Sequence, residues 1–182
     1  MKKNLNRYVE EVMFFSKALN LTSIHDSALF YERFIEPSVK LASFLPEQGR
    51  LLDVGSGMGV PGIPIVISKP EIQGVLVERR KKRAEFIRHV SRKLDLKLEV
   101  HASDINKIPS LEVNLCVARA VSKPDVLLKM FTQHCITGAL AVFPVAAEAR
   151  PKDQAGWVFE EEYRIMSGPQ QQRIHQYRYG EH

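Results

Sequence analysis

The 182-residue chain has little cysteine, two residues, and a single tryptophan. Cys116 and Cys135 are too few for a disulfide framework and do not stand at metal-ligand spacing, which argues against a stapled secreted scaffold and a cysteine-held metal centre. They are expected to be reduced thiols in core segments of a cytoplasmic protein. Long apolar runs are also lacking. The longest, Ala139 to Ala147, is too short to span a bilayer and contains Pro144, so no membrane partner is expected. Met1-Lys2-Lys3-Asn4 is basic, but no apolar core follows, and no signal peptide is expected. Repeats and low-complexity tracts are missing. What remains is ordinary globular composition, 45% hydrophobic and 26% charged. One domain of this length buries roughly 70% of the surface its unfolded chain exposes. A formal net charge of +5 points to a polyanionic partner.

One stretch organises the rest: Leu51-Leu52-Asp53-Val54-Gly55-Ser56-Gly57-Met58-Gly59-Val60-Pro61-Gly62, with four glycines over eight positions. Its apolar start reads as a buried strand, and its glycines as a turn where backbone must approach a ligand closely. Pro61 suits the first turn of a helix, where a missing amide donor costs nothing. Strand, glycine turn and helix open a doubly wound α/β fold, which binds adenosine-type cofactors at the carboxyl ends of its strands. Gly57 to Gly62 fits G-x-G-x-x-G, so a dinucleotide has to be weighed against S-adenosylmethionine and against a turn with no ligand. Asp53 discriminates. A carboxylate there would repel a diphosphate, whereas the ammonium of S-adenosylmethionine would gain from it. Glu78 closes the next apolar run, Gly74 to Val77, about 20 residues after the turn, where an acid usually takes ribose hydroxyls. S-adenosylmethionine is therefore the expected cofactor.

Residues 4–19 place Leu5, Tyr8, Val9, Val12 and Phe15 close to helical spacing and predict a docked amphipathic helix. After a polar break from Asn20 to Asp26, Ser27 is expected to cap a second helix through Ile35, interrupted by Pro37 before residues 39–45. These helices form an extension, residues 1–48, of a single domain whose Rossmann-like core spans 49–182. Strands are predicted at 50–54, 74–78, 97–101, 113–118 and 139–145. Helices are predicted from about Gly62 to Lys69, over about 80–94, and from a Ser122 cap to Gly138. Alternation of this kind gives a parallel sheet with right-handed crossovers. Residues 157–165 and 172–178, joined by Ser167-Gly168-Pro169, read as an antiparallel hairpin at one edge. The fold class is thus α/β, doubly wound and mostly parallel, on the class I methyltransferase plan.

Arg79-Arg80-Lys81-Lys82-Arg83 opens a basic helix that continues through Arg88, Arg92, Lys93 and Lys97. It reads either as a solvated face or as a phosphate contact that fixes orientation without reading sequence. Aromatic residues that would stack bases are not interleaved with it. His89 and His101 stand alone and are expected to be structural or solvated.

Asn20-Leu21-Thr22, the run from Asp53 through Pro61-Gly62-Ile63-Pro64, Glu78 followed by Lys81-Lys82 and Phe86, and Arg119-Ala120 occur in that order. In this, residues 5–145 resemble the RsmG (GidB) family of bacterial guanine-N7 methyltransferases of small-subunit ribosomal RNA. The resemblance implies S-adenosylmethionine held by Gly55, Val60, Ile105, Asn106 and Arg119, with Ser56, Gly57, Ser103 and Asp104 in the same turns. Asp53 and Glu78 would take its amine and ribose ends. Arg33, Arg79, Lys81, Lys82 and Arg119 are the candidates for substrate contact. Ribosomal RNA or the small subunit is the implied partner, a monomer is expected, and N7 attack on the methyl needs no dedicated base. The chain also departs from the family. R-H-I-x-D-S becomes Arg33-Phe34-Ile35-Glu36-Pro37-Ser38, an arginine becomes Asp104, and a Lys-Gly pair becomes Phe143-Pro144. The resemblance thus implies an intact cofactor half and an altered substrate half, which leaves open a methyltransferase acting on a different RNA, a small molecule or a protein, or a catalytically weak S-adenosylmethionine-binding module that binds RNA.

Overall fold

A computed structural model describes residues 1–119 and 123–180. Its centre is one seven-stranded sheet: β1 (Gln48–Val54), β2 (Glu71–Val77), β3 (Leu98–His101), β4 (Val113–Val117), β5 (Cys135–Val145), β6 (Trp157–Ser167) and β7 (Gln170–Tyr179). The spatial order is β3-β2-β1-β4-β5-β7-β6. β1 to β5 are parallel, and β7 runs antiparallel to both β5 and β6. The helices are α1 (Lys2–Leu19), α2 (Ser27–Phe30), α3 (Glu36–Ala42), α4 (Gly62–Ser68), α5 (Lys81–Leu94) and α6 (Pro124–Thr132).

Alternation along β1 decides what each face buries. Leu52 and Val54 point into a core with Leu128 and Phe131 of α6 and Trp157 and Tyr177 of the hairpin. Leu51 points the other way, toward Ile65 of α4 and Leu41 of α3. Beside that second core, Tyr8 and Val12 of α1 and Phe86 and Val90 of α5 pack on Ile63 and Ile67 of α4. The connection after β1 runs to β2 on one side and the connection after the neighbouring β4 runs to β5 on the other, so chains leave these two adjacent carboxyl ends in opposite directions. That divergence is where open α/β sheets form a ligand crevice.

The structure adjusts several expected boundaries. Asp26, not Ser27, caps α2, and its carboxylate accepts the Leu29 N–H at 2.6 Å. Pro37 does not interrupt the second helix. The chain widens into a π-helical turn, Tyr31–Ile35, and resumes as α3. A proline deletes an N–H to the carbonyl four residues back, and a widened turn accommodates the loss. Pro61 stands at the N-cap of α4, one position ahead of its first turn. β2 starts at Glu71, ahead of the predicted Gly74. α6 ends at Thr132, and Gly138 lies within β5 at φ 85. There the register with β4 jumps from Val113↔Cys135 to Leu115↔Leu140, so that glycine serves a bulge and not a helix end. The expected Ser122 cap lies outside the described residues. The hairpin is present with longer strands, turning at Gly168, φ 61.

Candidate functional site

The turn after β1 is held by its own backbone and by two acids. Gly55 and Ser56 donate their amides to the Val77 carbonyl at 2.9 and 3.2 Å, which ties the turn to the end of β2. Ser56 Oγ donates to the Asp53 carbonyl at 2.9 Å. The Gly57 amide donates to Glu78 Oε2 at 2.9 Å, and Glu78 Oε1 accepts the Arg80 amide at 2.7 Å. Glycine is required at Gly62 by close approach: a Cβ there would lie 2.8 Å from Asp53 Oδ2. That carboxylate oxygen accepts the Gly62 amide at 2.9 Å. Asp53 is fully buried, and its other oxygen, Oδ1, has no partner. Burial, with Glu78 nearby, pushes its carboxyl up from 3.8 to about 7 against the pull of the Gly62 hydrogen bond.

The turn after β3 lies along the same edge. Asp104 Oδ1 accepts the Asn106 amide at 3.0 Å and its side-chain amide at 3.1 Å. The backbone bond from Asn106 holds the Asp104 carboxyl below its ordinary range. Arg79 Nη1 stands 3.9 Å from Asp104 Oδ2, so the residue that replaces the family's arginine faces a cation across the ends of β2 and β3. Ile105 is buried, and its carbonyl lies 3.1 Å from Nε2 of the buried His134. Ser103 is half-buried and Asn106 exposed. Asp53, Gly55, Ser56, Gly57, Val60, Glu78 and the 103–106 turn thus line the carboxyl ends of three adjacent strands.

Arg119 closes this edge, two residues past β4. Its guanidinium lies 4.1 Å above the Phe34 ring, and Nη2 donates to the Arg33 carbonyl at 3.1 Å. Pro37, four residues after Arg33, has no amide to offer that carbonyl. Two of the departures from the family, Phe34 and Pro37, therefore both bear on Arg119. Burial lowers the affinity of this guanidinium for its proton, and Tyr8 partly offsets it. Tyr8, fully buried on α1, donates its hydroxyl to the Met58 carbonyl at 2.8 Å and feels the charges of both Asp53 and Arg119. The helical spacing of α1 marked Tyr8 only as core, and nothing in the sequence marked His134 as a support for the Ile105 turn.

Beyond Arg119 the surface opens into two clefts, of about 850 and 550 Å³. The larger runs past Lys123, Asp125, Arg150 and Lys152, and the smaller past Arg33, Phe34 and Arg173. Both share Arg119, Val145 and Gln172. Of the candidates for substrate contact, Arg33 and Arg119 line these clefts. Arg79, Lys81 and Lys82 lie past the end of β2, on the other side of β1. Much of the basic run is structural: Arg83 donates to the Asn20 carbonyl, Arg88 to Val100 at 2.8 Å, and Lys93 to Glu11 at 2.5 Å. His89 pairs with Glu11 and His101 with Glu99. Among the described residues no group of three His, Cys, Asp or Glu side chains is arranged to hold a metal ion.

The sheet order, the acidic strand ends and the glycine turn define a class I S-adenosylmethionine-dependent methyltransferase fold. Solved structures agree at the level of fold. A mutant of MtNAS in complex with S-adenosylmethionine superposes with a TM-score of 0.69 at 17% identity, covering 99% of this chain and 76% of that one. A SAM-dependent methyltransferase from Aquifex aeolicus gives 0.61 at 18% identity, covering 82% and 92%. Residues 1–151 match the family described as rRNA small subunit methyltransferase G, and the chain belongs to that family. Its relatives include Ribosomal RNA small subunit methyltransferase G of Shigella flexneri, 32% identical over 168 residues, 91% of this chain and 79% of the relative. The protein of the same name from Mesomycoplasma hyopneumoniae (strain 7448) is 32% identical over 136 residues, 70% of this chain and 67% of the relative.

Proposed function

We propose that this protein transfers the methyl group of S-adenosylmethionine to N7 of a guanine in small-subunit ribosomal RNA. The observation that carries the reading is the seam at Arg119, where an acidic, glycine-lined edge meets an open basic cleft. Family membership gives the reaction class.

The residues fit the cofactor. A buried carboxylate with one unpartnered oxygen suits a cationic head and would repel a diphosphate. When bound, S-adenosylmethionine supplies an electrophilic methyl group on a sulfonium. Asp53 would hold the amino-acid head and Glu78 the ribose hydroxyls, with Gly55, Ser56, Gly57 and Val60 offering backbone close by. Ser103, Asp104, Ile105 and Asn106 would border the base, and Tyr8 would fix the glycine turn from above. Guanine N7 carries an exposed lone pair, so the chain has to align it and exclude competitors; it does not have to remove a proton. Arg119 would donate to the guanine O6, next to the reacting nitrogen. Every one of these groups comes from one polypeptide, which suits a monomer. Small-subunit RNA as substrate supports an activity in the cytoplasm. No helix among the described residues is long and apolar enough to cross a membrane.

The test is methylation of small-subunit RNA and of the small subunit from a strain lacking the gene, using cofactor labelled in the methyl group. Borohydride reduction and aniline cleavage then locate N7-methylguanine. Label at one cleavable guanine is the expected result. Label at another atom would redirect the reading, and cofactor binding without transfer to either substrate would reduce the protein to a binding module.

A further inference from the structure

Two basic regions compete for the RNA, and the structure separates them. Along α5 several cations are already committed: Arg83, Arg88 and Lys93 each donate to a protein oxygen. Arg79 faces Asp104. Lys81 and Lys82 are exposed, but they stand past the end of β2, with β1 between them and Arg119.

The other region is the pair of clefts joined at Arg119, Val145 and Gln172. Six cations line it, Arg33, Arg119, Lys123, Arg150, Lys152 and Arg173, against two carboxylates, Asp125 and Glu148. Arg173 is held by Glu162 at Nε, 3.0 Å, and supports the 146–147 carbonyls. Arg33, Lys123, Arg150 and Lys152 have no ion-pair partner among the described residues. Charge left solvated along an open trough suits phosphates, because little is lost when they arrive.

Chemistry then selects the strand state. In a paired A-form helix guanine N7 lies in a deep, narrow groove that protein cannot enter, so the target base has to leave its pair, and RNA that is already unpaired spares that cost. At the junction, Arg119 and Gln172 stand together in the lining of both clefts and of the narrow gap beside Pro144. A guanidinium offers only donors, and an amide oxygen accepts. Guanine presents an acceptor at O6, beside N7, and donors at N1 and N2 further round the ring. Adenine presents a donor where guanine has O6. The two side chains therefore match guanine in the order in which a base with N7 toward the cofactor edge would meet them.

We propose that the trough joined at Arg119 is the bed for a single-stranded stretch of the RNA, and that Gln172 is a specificity-determining residue that accepts from the N1 and N2 hydrogens of the target guanine. This rests on the reading of the protein as an RNA guanine-N7 methyltransferase. The test measures anisotropy of a labelled single-stranded RNA with one guanine, free and annealed to its complement, over a range of salt and without cofactor. The wild-type protein should prefer the free strand. Arg150→Ala with Lys152→Ala should weaken binding about tenfold and lower the salt slope by about 1.4, two phosphates at 0.7 each. Lys81→Ala with Lys82→Ala should leave both within about twofold. Gln172→Leu should lower the preference over the same RNA carrying adenine about tenfold, leaving the part that Arg119 gives at O6, while Gln172→Glu, which still accepts, should keep it in full. A larger loss from the α5 pair, or a guanine preference left unchanged by Gln172→Leu, overturns the proposal while methylation of the small-subunit RNA still stands. Absence of any RNA binding or methylation by the wild type overturns both.

Discussion

Along the β1–β2–β3 side of the carboxyl edge the polar groups are already engaged. Asp53 holds Gly62, Glu78 holds Gly57 and Arg80, Asp104 holds Asn106, and Tyr8 holds Met58. Along the β4–β5–β7 side, Arg33, Lys123, Arg150 and Lys152 stand open, and the carbonyls of Ala146 and Ala147 hang on Arg173. The contrast follows from the ligands each side would serve. A small cofactor of fixed shape rewards groups held in place before it arrives, since no ordering cost remains to be met. A long anion rewards charge that stays hydrated until contact, because burying it in advance would raise both desolvation and self-repulsion. Arg119 belongs to both halves: it is packed on Phe34 and anchored to Arg33 on one side, and open to the clefts on the other.

The contrast can be broken most severely at Gly59. Its φ is 98, and a Cβ there would lie 2.3 Å from Ile63 Cδ1 and 2.8 Å from Cγ1, inside the core under α4. Gly59→Ala should cost about 3 kcal/mol in urea unfolding from left-handed strain plus overpacking. A wild-type midpoint would show that the turn gives way freely. Arg119→Ala comes next. It should lower kcat/KM for methyl transfer about a hundredfold, roughly 2.7 kcal/mol, and weaken cofactor and RNA together. Unchanged titration and activity would remove Arg119 from the site. Asp53→Asn should act on one half alone, weakening S-adenosylmethionine about tenfold in calorimetry with RNA affinity unchanged. Its pH dependence carries a sign. The Asp53 carboxyl rises from 3.8 to about 7 on burial, so the native state binds a proton that the unfolded chain has lost. Stability of the ligand-free protein therefore falls as pH rises from about 4 to about 7. Cofactor binding should release that proton, so wild-type affinity rises through this range, and Asp53→Asn should flatten both trends.

The sequence exposed the first half of this comparison more fully than the second, for a physical reason. Backbone that must turn sharply under a ligand needs particular residues in a particular order, so the Gly55–Gly62 run and Asp53 are legible in one stretch, and Glu78 at the end of the next apolar run. Alternating strands and helices gave the parallel sheet, and the turn chemistry of Gly168-Pro169 gave the hairpin. Gly138 misled, because a glycine at φ 85 serves a β-bulge as well as a helix end. Asp26 and Ser27 are adjacent and both residue types cap helices, so local pattern does not choose between them; the structure has Asp26. The open trough is assembled from the π-helical turn, β4, α6, the 146–154 loop and β7, and no local pattern joins segments so far apart. The basic run at 79–83 is conspicuous because its cations are consecutive, whereas those of the trough are scattered along the chain. Phe34 and Pro37 could be recognised as departures, but their common bearing on Arg119 exists only once the strands have paired.

The smallest expected effect concerns how firmly the cofactor half is roofed. α1 reaches the glycine turn through Tyr8 and is fixed to α5 through Glu11, whose carboxylate meets His89 and Lys93 at 2.5 Å each. Burial alone would raise the Glu11 carboxyl, but the hydrogen bonds from Lys93 and His89 outweigh it and hold the group below its ordinary value of 4.5. Because the native value is the lower one, the stabilisation is present above the unfolded value and disappears as pH falls through the folded one. Breaking a fully buried pair costs more, but both partners here are partly exposed, so Glu11→Gln should cost about 1 kcal/mol in urea unfolding at neutral pH. The gap between wild type and variant should narrow as pH falls below the ordinary value of 4.5 and close once pH has passed the lower, folded one. If α1 acts only as a roof over the glycine turn, the same substitution should loosen S-adenosylmethionine slightly, by less than about threefold, and leave RNA binding alone. A change in RNA affinity instead would mean that α1 couples the two halves through Tyr8 and Arg119, and that the division between them is less complete than their hydrogen bonding suggests.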